Sequence, residues 1–190
     1  MADQPKILTI DDLERARQIA AALLSAAVDD EHGRDESDPF YKAVTENRDG
    51  PTPALRAKYS SCGDLGHWLL RCLGVRADWL NRNDDGDAHA WRNGVNLNWL
   101  VPPPIGKCPL AHRRLEVDPA PGDIFVENNQ FGGHVFCVIA YDAAADLLTT
   151  AEYGQPGGKQ KKRGGFKAAF GKHPLSHLRL VDVLASGAEA

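Results

Sequence analysis

Cys62 is the residue whose type and position most directly suggest covalent chemistry. It follows Ser60-Ser61 and precedes Gly63, at the point where a predicted helix begins. A thiol is a strong nucleophile only as the thiolate, and a helix N-terminus favours that anion through its unpaired N–H groups and its dipole. The same N–H groups could hold an oxyanion. The alternative is a small buried core residue, which is the usual role of a free cysteine.

His134 is the candidate general base. It directly follows Gly132-Gly133 and begins the most apolar predicted strand of the chain. A histidine at the mouth of a buried strand is held in one direction and stays close to solvent, which suits proton transfer. A structural histidine with a satisfied ring is the alternative for a single residue of this type.

A carboxylate partner for the imidazole is predicted from the register of a hairpin. If the loop is 142–146, Tyr141 faces Leu147 and the even-numbered residues of both strands share one side of the sheet. Glu152 then lies one diagonal step from His134, within reach of a long side chain. A carboxylate there would orient the imidazole and stabilise its protonated form.

Two other side chains compete with Glu152 for this position. The amide of Gln155 could orient the ring without carrying a charge, so Gln155 stays open as the alternative. Asp142 lies at the far end of the strand and is too distant. A loop that differs by one residue would move Glu152 to the opposite face, so the assignment depends on loop length.

Four short segments together resemble a known family. They are Cys62 at a helix start, Pro121-Gly122-Asp123-Ile124, then Gly133-His134-Val135 in a strand, and Glu152-Tyr153 on the next strand. In this order they resemble the CHAP amidohydrolase/peptidase family and the wider NlpC-type group of papain-like cysteine hydrolases, over residues 59–153. The resemblance implies a papain-like α+β fold in which a cysteine helix packs on an antiparallel sheet. It also implies cleavage of amide bonds, often in peptidoglycan, with Cys62 as nucleophile, His134 as base and Glu152 as orienting residue.

Two other functions remain open. The first keeps the site and changes the reaction, to a cysteine deamidase or a transglutaminase-like effector that modifies a protein. The second is a binding or virion module that keeps the fold without catalysis. The segment 75–120, which is longer and richer in tryptophan than a minimal hydrolase of this type needs, leaves the substrate open.

We expect no cofactor and no metal site. Residues 81–87 imitate the start of a calcium loop, but the twelfth position is Arg92, where a bidentate Glu is required. The remaining histidines show no pairing by spacing: His89, His112, His173 and His177. Pro174 and the lack of a nearby carboxylate argue against a metal pair at His173 and His177.

Composition and charge limit the expected partners. The chain has 22 basic and 26 acidic residues, which argues against a general nucleic-acid binder, and its longest apolar run, 135–141, is too short to cross a membrane. The expected partners are a peptidoglycan or peptide substrate, of anionic character, and an immunity or carrier protein. No secretory signal is recognisable, so we expect synthesis in the cytoplasm, with export by a specialised secretion system or association with a phage.

The basic residues are concentrated near the end of the chain. Residues 155–180 contain seven basic side chains and no acidic one. We expect the run 159–172 to be a solvated loop, with a clamp for an acidic substrate at the border of the cleft as its functional alternative. The net charge of −4 therefore combines an acidic body with a basic segment.

The helices and strands that must position Cys62, His134 and Glu152 are predicted from the sequence pattern, which indicates an α+β fold. The length of 190 residues favours a single domain, with a core at about 59–184 and an N-terminal helix at 11–28. Asp11 and Asp12 suit the start of that helix, whose apolar face is formed by Leu13, Ile19, Ala20, Leu23 and Ala27. A loop at 29–39 and a second helix from Cys62 through Leu73, ended by Gly74, follow. Strands are predicted at 123–127, 134–141, 147–153 and 178–184, and the last of them closes the sheet.

Overall fold

The computed structural model describes residues 9–28, 34–35, 37–46, 62–75, 110–112, 115, 117–127, 134–154, 157–167 and 175–186. These residues form an α+β structure, as predicted, with helices and one antiparallel sheet. The helices are α1 (Ile10–Ala27), α2 (Pro39–Glu46), α3 (Cys62–Cys72) and α4 (Leu180–Ala185). The strands are β1 (Arg34–Asp35), β2 (Ala111–His112), β3 (Ile124–Glu127), β4 (His134–Asp142), β5 (Leu147–Gly154), β6 (Gly157–Gly164) and β7 (Leu175–Leu178). They lie in the order β1-β6-β5-β4-β3-β7-β2.

The helix α1 begins one residue earlier than predicted and is capped by Thr9. The Thr9 hydroxyl accepts the N–H of Asp12, and the Asp12 carboxylate accepts the N–H of Thr9, which is a complete capping box. Asp12 is therefore the third helical residue of this box and not the cap. The predicted apolar face is wrong at Ile19, which is 43% exposed, whereas Leu24 is fully buried.

The predicted loop at 29–39 is wrong at both of its described parts. Arg34 and Asp35 pair with β6 as the short strand β1. Asp38 then accepts the N–H groups of Phe40 and Tyr41 at 2.7 and 3.3 Å, and the helix α2 starts at Pro39. Proline suits the first helical position because its missing N–H would have no partner there, so Asp-Pro begins a helix here.

The helix α3 begins at Cys62, as predicted, and packs on the sheet. Its C-terminal end is closed by Gly74, whose φ of 78° is in the left-handed region, while Val75 donates its N–H to Leu70 at 2.9 Å. The buried side chains of α3 include Leu65, Leu69 and Leu70. They belong to one core cluster with buried residues of α1 and of the sheet.

The residues of β4 alternate between two apolar clusters. Val135, Cys137 and Ile139 belong to the main core, beneath α1 and α3. Phe136 and Val138 belong to a smaller cluster on the opposite face, which also contains Phe125, Leu148 and Phe166. From His134 to Val138, the even-numbered residues of β4 therefore lie on the face of the smaller cluster, and beyond Ile139 the odd-numbered Tyr141 packs against it.

The hairpin between β4 and β5 is one residue tighter than predicted. Asp142 pairs with Leu147, and Tyr141 pairs with Leu148, so the predicted loop of 142–146 is wrong. The Asp142 carboxylate accepts the N–H groups of Ala144 and Ala145 at 3.0 and 3.1 Å, which closes the turn on Asp142 itself.

A β-bulge at Ile139 changes the pairing offset by one residue between the turn and His134, and this restores the offset that was predicted. Ala140 pairs with Thr149, but Val138 pairs with Thr150 and Cys137 with Ala151. Ile139 is the extra residue, and beyond it the pairing has the predicted offset. The side chains of His134 and Glu152 consequently share one face of the sheet.

The Pro-Gly-Asp turn before β3 ties several elements together. Gly122 has a φ of 88°, and a Cβ there would lie 2.7 Å from Leu180 and 2.9 Å from Ala20. The Asp123 carboxylate accepts the N–H groups of Ala120 and Leu180 at 3.0 and 2.9 Å. This motif therefore has a structural role next to α1 and α4.

Two histidines for which the sequence indicated no partner each bind an aspartate. His177 is fully buried, and its Nε2 lies 2.9 Å from the Asp123 carboxylate. His112 Nε2 lies 2.7 Å from Asp182. Both contacts join segments far apart in the chain, which spacing alone does not reveal. His89 and His173 lie outside the described residues, as do residues 81–92.

The predicted strand at 178–184 is wrong beyond its first residue. The strand β7 ends at Leu178, and residues 180–185 form α4. Asp123 accepts the N–H of Leu180 at the first turn, and Leu180 and Val183 are buried at helical spacing. Among the described residues, no helix is both long enough and apolar enough to cross a membrane.

Candidate active site

Cys62 lies at the N-terminus of α3 and is 3% exposed. The following residues, Gly63 and Asp64, are buried as well. The first N–H groups of a helix have no acceptor inside the helix, and they form the positive end of its dipole. The thiol of Cys62 therefore lies where a negative charge is favoured.

His134, the first residue of β4, joins the thiol to a carboxylate. Its imidazole forms a hydrogen bond with the Cys62 side chain, and its Nε2 lies 2.8 Å from Oε2 of Glu152. Because Nε2 is used by the carboxylate, Nδ1 is the ring nitrogen that remains for the thiol. The His134 side chain is 23% exposed, so the imidazole is the more accessible member of the Cys62–His134 pair.

Glu152 of β5 is 2% exposed and is surrounded by donors. Its Oε1 accepts Thr150 Oγ1 at 2.7 Å and two nitrogens of Arg163, Nε at 2.9 Å and Nη2 at 2.8 Å. Its Oε2 accepts Lys161 Nζ at 2.5 Å in addition to the imidazole. A buried carboxylate with this many charged and polar donors is held both ionised and fixed in position.

The neighbouring charges change the protonation of both groups. Burial opposes the charged imidazolium, but the hydrogen bonds with Cys62 and Glu152, together with their charges, raise the pKa of His134 to about 9. Burial also opposes the ionised Glu152. The hydrogen bond with His134, the Arg163 charge and the hydrogen bonds from Lys161 and Thr150 outweigh it and hold the Glu152 pKa far below its usual range. The arrangement thus favours an imidazolium between two anions.

Cys137 is a second thiol in the same sheet, but among the residues that the structure describes it has no hydrogen bond with the His134 imidazole to stabilise a thiolate, and its pKa is raised. It is fully buried in β4, and burial, followed by the charges of Cys62 and Glu152, raises its pKa far above the ordinary value. Cys137 therefore stays a neutral thiol within the main core. Cys72, at the C-terminal end of α3, is free and exposed.

The structure brings together the three residues that the sequence singled out, Cys62, His134 and Glu152. Their catalytic roles stay predictions. Gln155, the alternative orienting residue, lies outside the described residues, and so does most of the segment 75–120. Within the described part of the chain, no group of three or more histidine, cysteine, aspartate or glutamate side chains is arranged to hold a metal ion.

The basic run was predicted to be a loop, and this is wrong for its described first half. Residues 157–164 form β6, which pairs with β5 along its whole length. A Cβ at Gly158 would lie 2.4 Å from the Tyr153 ring, so the glycine at this position lets the tyrosine lie against β6.

The sequence reasoning missed the residues that hold Glu152, namely Thr150, Lys161 and Arg163. A signal for two of them was present. Lys159, Lys161 and Arg163 alternate along the chain, which is the period of a strand with one basic face. The prediction of a loop rests on the number of basic residues and does not use the alternation of their positions.

The geometry allows nucleophilic chemistry at Cys62 with proton transfer through His134. Comparisons with protein-family models, with curated protein sequences and with solved structures find no match for this chain. The interpretation of the site therefore rests on its own contacts and on the order of its motifs.

Proposed function

We propose that this chain is a papain-like cysteine hydrolase that cleaves an amide bond. Cys62 is the nucleophile, His134 the general base and acid, and Glu152 the orienting carboxylate. The observation that carries the proposal is the continuous contact from thiol to imidazole to a buried carboxylate. A histidine in a purely structural ion pair would have no need of a thiol at a helix N-terminus on its other side.

The arrangement of elements supports the papain-like type. A helix that begins with the cysteine packs on an antiparallel sheet, and the histidine and the carboxylate come from neighbouring strands of that sheet. The Pro-Gly-Asp turn, the histidine strand and the glutamate strand follow one another in the order of the CHAP and NlpC-type families.

The proposed reaction has two steps. The Cys62 thiolate attacks the carbonyl carbon, and N–H groups at the start of α3 stabilise the oxyanion. The oxyanion collapses to a thioester while the His134 imidazolium gives its proton to the leaving amine. Neutral His134 then takes a proton from water, which attacks the thioester and releases the acid and the thiolate. Glu152 keeps the ring oriented throughout.

The first test is the reactivity of Cys62 toward iodoacetamide, read by peptide mass spectrometry. Because the imidazolium persists to about pH 9 and stabilises the thiolate, we expect Cys62 to react at pH 6 on the order of a hundred times faster than Cys72. Cys72 is the internal control. Its residue is exposed to reagent, but desolvation of the thiol raises its pKa, so it stays a neutral thiol at pH 6. We expect His134→Ala to remove most of this difference. Equal labelling of Cys62 and Cys137, or a rate that ignores His134→Ala, would refute the proposal.

The second test addresses the substrate. The resemblance makes peptidoglycan peptides the first candidates, so purified muropeptides are incubated with the protein and with Cys62→Ala and then analysed by mass spectrometry. We expect fragments from a cleaved amide with the unaltered protein alone. Intact muropeptides beside an alkylation-active Cys62 would reject peptidoglycan and direct the search to protein substrates, including glutamine side chains.

A further inference from the structure

The strand β6 presents a row of basic side chains beside the catalytic carboxylate. Lys159, Lys161 and Arg163, here called the basic strip, pair with Glu152, Thr150 and Leu148 of β5. Residues directly paired across an antiparallel ladder have their side chains on the same face. The whole strip therefore lies on the face that carries Glu152 and His134.

Two members of the basic strip are bound to acidic groups. Arg163 binds Glu152 through two nitrogens and Glu127 through a third, at 3.3 Å. Lys161 binds Glu152 but is still 39% exposed. Arg163 thus contacts two carboxylates, those of Glu152 and Glu127. Of the carboxylates in the described segments, Lys161 contacts only that of Glu152, which also binds Arg163 and His134.

Lys159 is different, because it is exposed and forms no ion pair within the described part of the chain. It is paired directly with Glu152, so its stem starts about 5 Å from that of the catalytic carboxylate. The carboxylate is already fully occupied by other donors, which leaves the Lys159 ammonium available to a ligand.

The strip is close to the reacting atoms. Lys161 Nζ and His134 Nε2 contact the same oxygen of Glu152, so the ammonium lies within two hydrogen-bond lengths of the imidazole. The imidazole in turn contacts the thiol. A carbonyl attacked by Cys62 must lie beside His134, and a group on the residue that flanks the bond would fall near the strip.

We infer that the site takes an amide substrate with a carboxylate on the residue flanking the scissile bond, and that Lys159 and Lys161 bind this carboxylate. The inference rests on the proposed function, because it needs Cys62 to be the nucleophile. Carboxylate is the anion that a substrate built from amino acids carries, and an ammonium that is partly exposed beside a low-dielectric core attracts it strongly.

The test compares two alkylating reagents, iodoacetate and iodoacetamide, which have the same leaving group and nearly the same size. The ratio of their rate constants at Cys62 is measured at low salt and divided by the same ratio for free cysteine. We expect a value on the order of ten, decreasing as salt is added. The His134 imidazolium also attracts iodoacetate, so the variants must separate the two sources of charge.

Lys159→Gln and Lys162→Gln form the matched pair of variants. Both remove one positive charge from β6, but Lys162 pairs with Thr149 and faces the other side of the sheet. We expect Lys159→Gln to lower the normalised ratio about threefold or more and Lys162→Gln to leave it within experimental error. Thermal melts of both variants verify that they are folded.

Two results would overturn the inference. One is a normalised ratio at or below one, and the other is an equal decrease in both variants, which would mean a general effect of net charge. Failure of the proposed function is recognised separately, because Cys62 would then react with iodoacetamide no faster than Cys72 and without dependence on His134. That result removes the site on which the inference rests.

Discussion

Glu152 is the residue on which the site depends most. A carboxylate that is 2% exposed would be costly to bury alone, and here Lys161 and Arg163 supply the opposite charges while Thr150 supplies a hydroxyl. These donors bind both oxygens of the Glu152 carboxylate and therefore hold its side chain in a single orientation. The carboxylate can therefore fix the His134 ring, and the ring can be held toward Cys62.

Glu152→Gln tests this role at the residue scale. The amide keeps the size of the side chain but loses the charge that stabilises the His134 imidazolium and leaves two cations facing a neutral group. We expect Cys62 alkylation by iodoacetamide at pH 6 to slow by about tenfold or more, because the imidazolium that favours the thiolate is weakened. The rate is measured across pH 5–9 by mass spectrometry.

Glu127→Gln is the control for that variant. Glu127 also binds Arg163, at 3.3 Å, but its side chain is 29% exposed. We expect little change in the pH profile of Cys62, since a partly exposed ion pair of this kind contributes less than about 1 kcal/mol. Similar profiles for Glu152→Gln and the unaltered protein would show that Glu152 does not act through His134.

At the scale of elements, the β4–β5 hairpin decides whether the site exists. The turn at 143–146 sets one offset between the strands, and the bulge at Ile139 changes it by one residue before His134 is reached. The bulge thus compensates for the turn, which is one residue shorter than predicted. If the offset set by the turn continued to the start of β4, with Ile139 paired like its neighbours, His134 and Glu152 would lie on opposite faces of the sheet.

This hairpin also shows how far the sequence could lead. The alternation in β4 and β5, together with an assumed loop of 142–146, predicted that His134 and Glu152 share a face. The loop was wrong by one residue, and the predicted face is correct only because the bulge at Ile139 compensates for that error. The turn length depends on Asp142 binding the N–H groups of Ala144 and Ala145, and the bulge has no local signature. Similarly, α4 depends on Asp123, a residue 57 positions away from Leu180, so local pattern could not separate helix from strand.

Two single deletions in β4 test the importance of the register. Deleting Ile139 removes the extra residue and leaves the pairing on both sides unchanged, so we expect a folded protein in which Cys62 still reacts rapidly with iodoacetamide. Deleting Val135 moves His134 by one position and turns it to the opposite face, so we expect the rapid reaction to be lost. Both deletions remove a buried apolar residue.

Alkylation rates and circular dichroism distinguish the outcomes. Rapid labelling of Cys62 in the Val135 deletion, or a folded Ile139 deletion whose Cys62 reacts as slowly as Cys72, would contradict the role assigned to the bulge. A stability loss of about 1–3 kcal/mol is expected for either deletion, because each removes buried apolar surface.

At the scale of the molecule, His134 and Glu152 lie on one face of the sheet, called here the site's face, where an apolar cluster meets charged and polar side chains. The helices α1 and α3 cover the other face. On the site's face, the aromatic cluster around Phe125 and Phe136 borders the polar network, and the Arg163 guanidinium lies over the Phe136 ring at 4.3 Å. Arg163 thereby connects the apolar cluster with the Glu152 carboxylate, whose lowered pKa makes the free energy of unfolding depend on its ionisation.

The coupling predicts how stability depends on pH. Because the Glu152 pKa in the folded protein is held far below its ordinary value of 4.5, the ionised carboxylate stabilises the folded state above about pH 4.5. This contribution is lost progressively as the pH falls below that value, since the unfolded chain then binds a proton that the folded chain does not. One such group adds at most about 1.4 kcal/mol per pH unit to the slope.

Urea unfolding midpoints at pH 6, 4 and 3 measure this slope in the unaltered protein, in Glu152→Gln and in Glu127→Gln. We expect Glu152→Gln to be less stable at pH 6 and to lose less stability on acidification, so that its curve approaches that of the unaltered protein near pH 3. Glu127→Gln should keep the steep slope. Parallel curves for Glu152→Gln and the unaltered protein would mean that the Glu152 charge is not what links the basic strip, the histidine and the sheet into one cooperative unit.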